Sequence, residues 1–144
     1  EMNPSCEIKV SVTSLIPECY LPSPTERLKI YRKLSGADSK TLTEIKIDLL
    51  DRCGKHPVEL ENLFKITEIS IKAKSLDISK IVQSSKYLKF KFNKTLKDKT
   101  LSKILSITNE SPEIYEIKKN GELWINFNGQ DVLNLVDNAI QKFT

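Results

Sequence analysis

The sequence predicts an α+β fold: a helical first half with an N-terminal strand, then a small antiparallel sheet with flanking helices. Apolar residues alternate with period two at 6–12 and again at 88–92. Between 24 and 78 they recur at helical spacing, and an Asn-Gly pair at 120–121 separates two runs rich in β-formers. Strand, three helices, strand, helix, hairpin and helix is not the regular βαβ alternation of a parallel sheet.

Each element has its own warrant. Cys6, Ile8, Val10 and Val12 alternate with Glu7, Lys9, Ser11 and Thr13, as in a strand with one wet face. Pro17, Pro22 and Pro24 stop that pattern and make ECYLPSP a rigid connector. Ser23, Pro24 and Glu26 write a helix start, with Leu28, Tyr31 and Leu34 as the inward stripe and Gly36 as the stop. A second helix, capped by Asp38, Ser39 or Thr41, is expected to bury Leu42, Ile45, Leu49 and Cys53, and Gly54 ends it. Pro57 opens a third helix lined by Leu60, Leu63, Phe64, Ile66, Ile71 and Ala73, fading near Leu76 to Ile78. Leu88, Phe90 and Phe92 alternate with Lys89 and Lys91, a strand with a lysine-bearing solvent face, and a short helix follows around Leu101, Ile104 and Leu105. IYEIK and LWINF flank the Asn120-Gly121 turn, and Asn128 or Asp131 caps a last helix with Leu133, Val136, Ile140 and Phe143 inward. The whole chain, 1–144, reads as a single domain, with 1–78 and 79–144 as its possible lobes.

Composition excludes several classes. The chain is 39% hydrophobic and 29% charged with only four glycines, which suits a packed globular domain and not a disordered or fibrous one. No apolar run approaches the ~20 residues that span a bilayer, and EMNPSCEIKV lacks the layout of a signal peptide, so a cytoplasmic location is expected. Cys6, Cys19 and Cys53 form no CxxC pair and His56 is the one histidine, which argues against a disulfide framework or a zinc site. NKT at Asn93 and NES at Asn109 are chance matches to the glycosylation pattern. No phosphate loop, HExxH or GxSxG motif is present, and Cys53 beside His56 reads as the end of an apolar stripe, so no catalytic residue and no cofactor is expected.

The net charge of +4 is segregated. Residues 72–103 carry ten basic and two acidic side chains, whereas residues 1–71 carry ten and eleven, and 104–144 three and six. With Tyr87, Phe90 and Phe92 among the lysines, segment 72–103 suggests a nucleic-acid surface as an alternative reading. Against it, Phe90 and Phe92 share a strand face with Leu88 while Lys89 and Lys91 take the other, so direct DNA contact is not expected.

LIPECY at 15–20, PTERLKIYRKL at 24–34 and IKIDLLDRCGKHP at 45–57 together resemble the C-terminal domain of the bacterial transcription-repair coupling factor (Mfd). That family's pattern runs IPxxYI, RLxxYxxL and ELxDRFGxxP. Ile16, Pro17, Tyr20, Arg27, Leu28, Tyr31, Leu34, Leu49, Asp51, Arg52, Gly54 and Pro57 hold the matching positions. Cys53 stands where the family has phenylalanine, Asp48 where it has glutamate, and Asp77 where it has the glycine that closes the third helix.

The resemblance implies a non-catalytic regulatory piece of a longer protein, as the start at Glu1 and the missing motor motifs also suggest. In that family a translocase elsewhere in the chain hydrolyses ATP, another domain grips RNA polymerase, and an N-terminal module recruits the repair protein UvrA. The C-terminal domain masks that module and restrains the motor at rest. Glu44, Asp48 and Asp51, spaced by four and three, share one face of the second helix opposite Leu42, Ile45 and Leu49. By the resemblance, Asp48 and Asp51 face the arginine-bearing recruitment module. Asp51 can also pair with Lys55 or cap the Gly54 turn, and Arg52 can brace the chain near Tyr20 and Tyr31.

Overall fold

The computed structural model describes residues 6–144. Among them the elements run β1 (Glu7–Lys9), α1 (Pro24–Ser35), α2 (Ser39–Cys53), α3 (Val58–Ser75) and β2 (Ile78–Gln83). Then follow β3 (Tyr87–Phe92), α4 (Asp98–Glu110), β4 (Tyr115–Ile117), β5 (Leu123–Asn126) and α5 (Val132–Phe143). The fold is α+β. It divides into two compact units, Val12–Ile71 and a second made of the segment up to Ser11 together with Lys72–Thr144.

The Val12–Ile71 unit is helical. Ser23 Oγ accepts from the Glu26 N–H and Asp38 Oδ1 from the Thr41 N–H, so α1 and α2 start where hydroxyl and carboxylate caps satisfy otherwise orphaned donors. Its core joins Ile16, Leu21, Ile30, Leu34, Leu42, Ile45, Leu49, Leu60 and Phe64. Leu28 departs from the expected inward stripe: it is 50% exposed, and Ile30 is buried in its place. On α1, Arg27 turns toward the connector, where its guanidinium donates to the carbonyls of Leu21 (2.7 Å) and Pro22 (2.9 Å). The stripe is therefore Ile30, Tyr31 and Leu34, with Arg27 closing the lower turn.

The other unit is built on a five-stranded sheet in the order β1-β2-β3-β5-β4. β2, β3, β5 and β4 pair antiparallel, but β1 pairs parallel with β2, Ile8 opposite Ile81, so the sheet is mixed and the N-terminal strand belongs to it. β2 begins at Ile78, where the third helix is expected to fade, and fills a stretch for which the sequence pattern predicts no element. Asp77 has φ 60, a left-handed position that ends α3 and turns the chain into β2; Asp tolerates that region better than most side chains. Leu88, Phe90, Leu123 and Ile125 line the inner face, where Phe143 of α5 meets Phe90 edge-on at 5.8 Å between ring centroids. Leu133, Val136, Ile140 and Phe143 are all buried as their spacing predicts, each burial stabilising the unit by about 1.5–3 kcal/mol. α4 runs for thirteen residues, longer than expected, and it is Thr100 and Ile104 that it buries.

Candidate interaction site

The three motif blocks singled out in the sequence meet through backbone-directed hydrogen bonds. The Ile16 N–H donates to Tyr31 Oη at 2.8 Å, and Tyr20 Oη lies within donating distance of the carbonyls of Gly54 (2.7 Å) and Leu49 (3.0 Å). Burial raises the Tyr20 pKa above the usual tyrosine value. Gly54, at φ 89, ends α2 with its N–H on the Leu50 carbonyl. The first block is thereby fastened to the end of α2. His56 Nε2 lies 3.1 Å from the Lys46 carbonyl oxygen, and its ring packs edge-on against Phe64.

This framework presents the outer face of α2. Leu42, Ile45 and Leu49 are buried, so residues two positions and about 200° away must point outward. Glu44, Asp48 and Asp51 do so, all exposed. With them stand Ile47, 62% exposed, and Leu50, 53% exposed. These five residues line an open groove of about 660 Å³. The apolar pair was not singled out in the sequence, though the signal was present: Ile47 and Leu50 fall outside the stripe set by Leu42, Ile45 and Leu49. Apolar side chains in the midst of carboxylates give the face what a partner helix or sheet needs, surface to desolvate as well as charges to pair.

The three carboxylates are not equivalent. Arg52 Nε sits 3.2 Å from both Asp48 oxygens and Nη2 3.0 Å from Oδ2, while Nη1 reaches Glu26 Oε1 at 3.1 Å. Hydrogen bonds to Asp48, then Glu26, raise the Arg52 pKa further above its already high ordinary value. Arg52 thus engages these two acids and does not brace Tyr20 or Tyr31. Among the described residues Glu44 and Asp51 have no ion pair, and Gly54 ends its helix without help from Asp51. The groove offers two open carboxylates and one held in a fork.

Helices α1 to α3, with the Tyr20–Gly54 fastening, and a five-stranded mixed sheet carrying α4 and α5 define an α+β domain. A model of the TRCF domain matches residues 10–103, and the chain belongs to that family. It is 36% identical over 76 residues to the transcription-repair-coupling factor of Haemophilus influenzae, covering 52% of this chain and 7% of that protein. Against the same factor of Borreliella burgdorferi it is 26% identical over 109 residues, 75% of this chain and 10% of that protein. The chain spans about a tenth of the length of these relatives or less. The fold matches a crystal structure of the C-terminal domain of transcription-repair coupling factor with TM-score 0.77 and 18% identity, over 99% of this chain and 95% of that one.

Proposed function

We propose that this chain is the regulatory domain of a cytoplasmic transcription-repair coupling factor, without catalysis of its own, and that it masks the UvrA-recruiting module and restrains the DNA translocase until the factor engages a stalled RNA polymerase. The observation that carries the reading is the outer face of α2, where Glu44, Asp48 and Asp51 surround the exposed Ile47 and Leu50. An arginine on the module can bind such carboxylates in bidentate fashion, each charge-assisted bond contributing about 1.5–3 kcal/mol once water is excluded. The two apolar side chains supply the water-excluding contact that surface ion pairs lack.

The test is Asp48→Ala with Asp51→Ala in the full-length factor. The reading expects UvrA to be captured more strongly than by the wild type in a pull-down; equal capture counts against it. A companion measurement mixes this chain with the isolated recruitment module and follows association against ionic strength. Tethering in one chain raises effective concentration, so weak affinity between the separated pieces is compatible with masking, whereas affinity insensitive to the double substitution is not.

A further inference from the structure

The lysine-bearing face of the sheet joins Tyr87 of segment 72–103 to a second aromatic from outside that segment, Trp124. Phe90 points inward as expected, but β5 lies beside β3 with Trp124 directly opposite Lys89, on the side away from Leu88, Phe90, Leu123 and Ile125. Lys89 Nζ stands 4.2 Å from the Trp124 ring centroid, Nζ of Lys118, just past the end of β4, stands 4.3 Å from it, and the Tyr87 ring lies 4.9 Å away. Lys80 on β2 is opposite Lys91, which extends the basic stripe across the sheet.

Three acids share the face, and their positions matter. Glu7 pairs with Lys9 and Lys80 at the β1 edge, and Glu116 with Lys118 at the β4 edge. Glu122, only 14% exposed, accepts from Trp124 Nε1 at 2.9 Å and pairs with Lys91 at 3.6 Å. β3, the middle strand, holds Tyr87, Lys89 and Lys91 with no acid, and Lys89 has no carboxylate partner among the described residues. Beyond Lys91 the stripe runs into an open groove of about 570 Å³, where Asn93 and Asn120 add amide groups.

We propose that this face binds single-stranded nucleic acid, with Trp124 and Tyr87 as stacking platforms and Lys89, Lys91 and Lys80 on the phosphates. The lysines now lying against Trp124 do not block this. Each makes an exposed cation–π contact, individually weaker than a base stacked on an aromatic ring. A base can therefore take the ring while the ammonium moves to the adjoining phosphate. Recognition through stacking and phosphate contacts is tolerant of sequence, and a duplex with its bases paired offers the platforms nothing.

Trp124 is the chain's one tryptophan, so its emission reports on the site directly. The experiment titrates this chain with oligothymidylate at about 50 mM salt and repeats the titration as salt is raised. Expected are quenching of Trp124 and an affinity that falls on a log–log plot by about 0.7 per phosphate contact. Lys89→Gln should weaken binding several-fold and reduce that slope by about one contact, with the circular dichroism spectrum unchanged. The wild-type quenching stands as a test by itself should that variant not fold. Absence of quenching at low salt overturns the proposal. So does equal quenching by polyglutamate, which would mark an acidic protein surface as the partner, or equal affinity for duplex DNA.

Discussion

Tyr20 Oη and the Gly54 carbonyl oxygen stand 2.7 Å apart, joining the proline connector to the last turn of α2. Glycine at φ 89 leaves that carbonyl outside the helical ladder, and the tyrosine hydroxyl supplies the donor it lacks. Tyr20→Phe is expected to cost about 1 kcal/mol, read as a lower urea midpoint with unchanged slope. A variant as stable as the wild type would show that water replaces the hydroxyl without loss.

Arg52 competes with any outside cation for Asp48. All three groups of the Glu26–Arg52–Asp48 network are exposed, so Arg52→Ala should barely move the urea midpoint. It should nevertheless tighten association with an arginine-bearing recruitment module, because Asp48 then offers both oxygens. Weaker association would mean that Arg52 itself touches the partner.

Asp77 holds a left-handed backbone at φ 60 where its family has glycine. Its side chain accepts from Thr95 Oγ1 at 3.1 Å, an exposed contact that offsets part of the strain. Asp77→Gly is expected to stabilise the chain by up to about 1 kcal/mol, measured as a higher melting temperature. A lower one would show that the Thr95 contact outweighs the backbone term.

The hydrogen bond from Trp124, then Lys91, keeps the Glu122 carboxyl below the usual carboxylate range. A depressed pKa makes the ionised form the stabilising one. Its contribution is complete above the unfolded carboxylate range and is lost as pH falls through the folded value. On acidification the wild type should lose more stability than Glu122→Gln, and Trp124 emission should change in the same pH window. Parallel stability curves for the two proteins would remove the linkage.

Phe143 is 1% exposed and closes the inner face of the sheet against Phe90. Phe143→Ala should cost about 3–5 kcal/mol, enough to melt the sheet unit of a marginally stable domain. Retention of the native circular dichroism spectrum to the wild-type melting temperature would contradict this.

The helical elements were the most legible in the sequence because their punctuation is chemical: Ser23-Pro24, Asp38 and Gly54 each perform the expected backbone task. The hairpin was equally plain, since Gly121 takes φ 86 in the turn between β4 and β5. β2 was not. Its turn to β3, Ser84-Ser85-Lys86, contains no glycine or asparagine, and a register shift between Ile78 and Lys80 breaks the alternation that would reveal a strand. Leu28 was misassigned because a leucine at helical spacing outranks an arginine as a core candidate, until the carbonyls of Leu21 and Pro22 give that arginine somewhere to go. The acidic face of α2 could be read from spacing alone. The Asp48–Arg52 arm of the fork was open to the same reading, being an i,i+4 pair; the Glu26 arm was not, because only the fold brings Glu26 to Arg52.

Because β1 pairs in parallel with β2, the helical unit is a guest inside the sequence of the sheet. Parallel neighbours need a crossover of at least a dozen residues, and here the whole of 12–71 serves as that crossover. The guest is one uninterrupted stretch that can acquire its core as soon as it leaves the ribosome. The host cannot: its first strand must wait, unpaired, until the far side of the guest has been synthesised, and closing that long a loop is what makes such pairings slow to form.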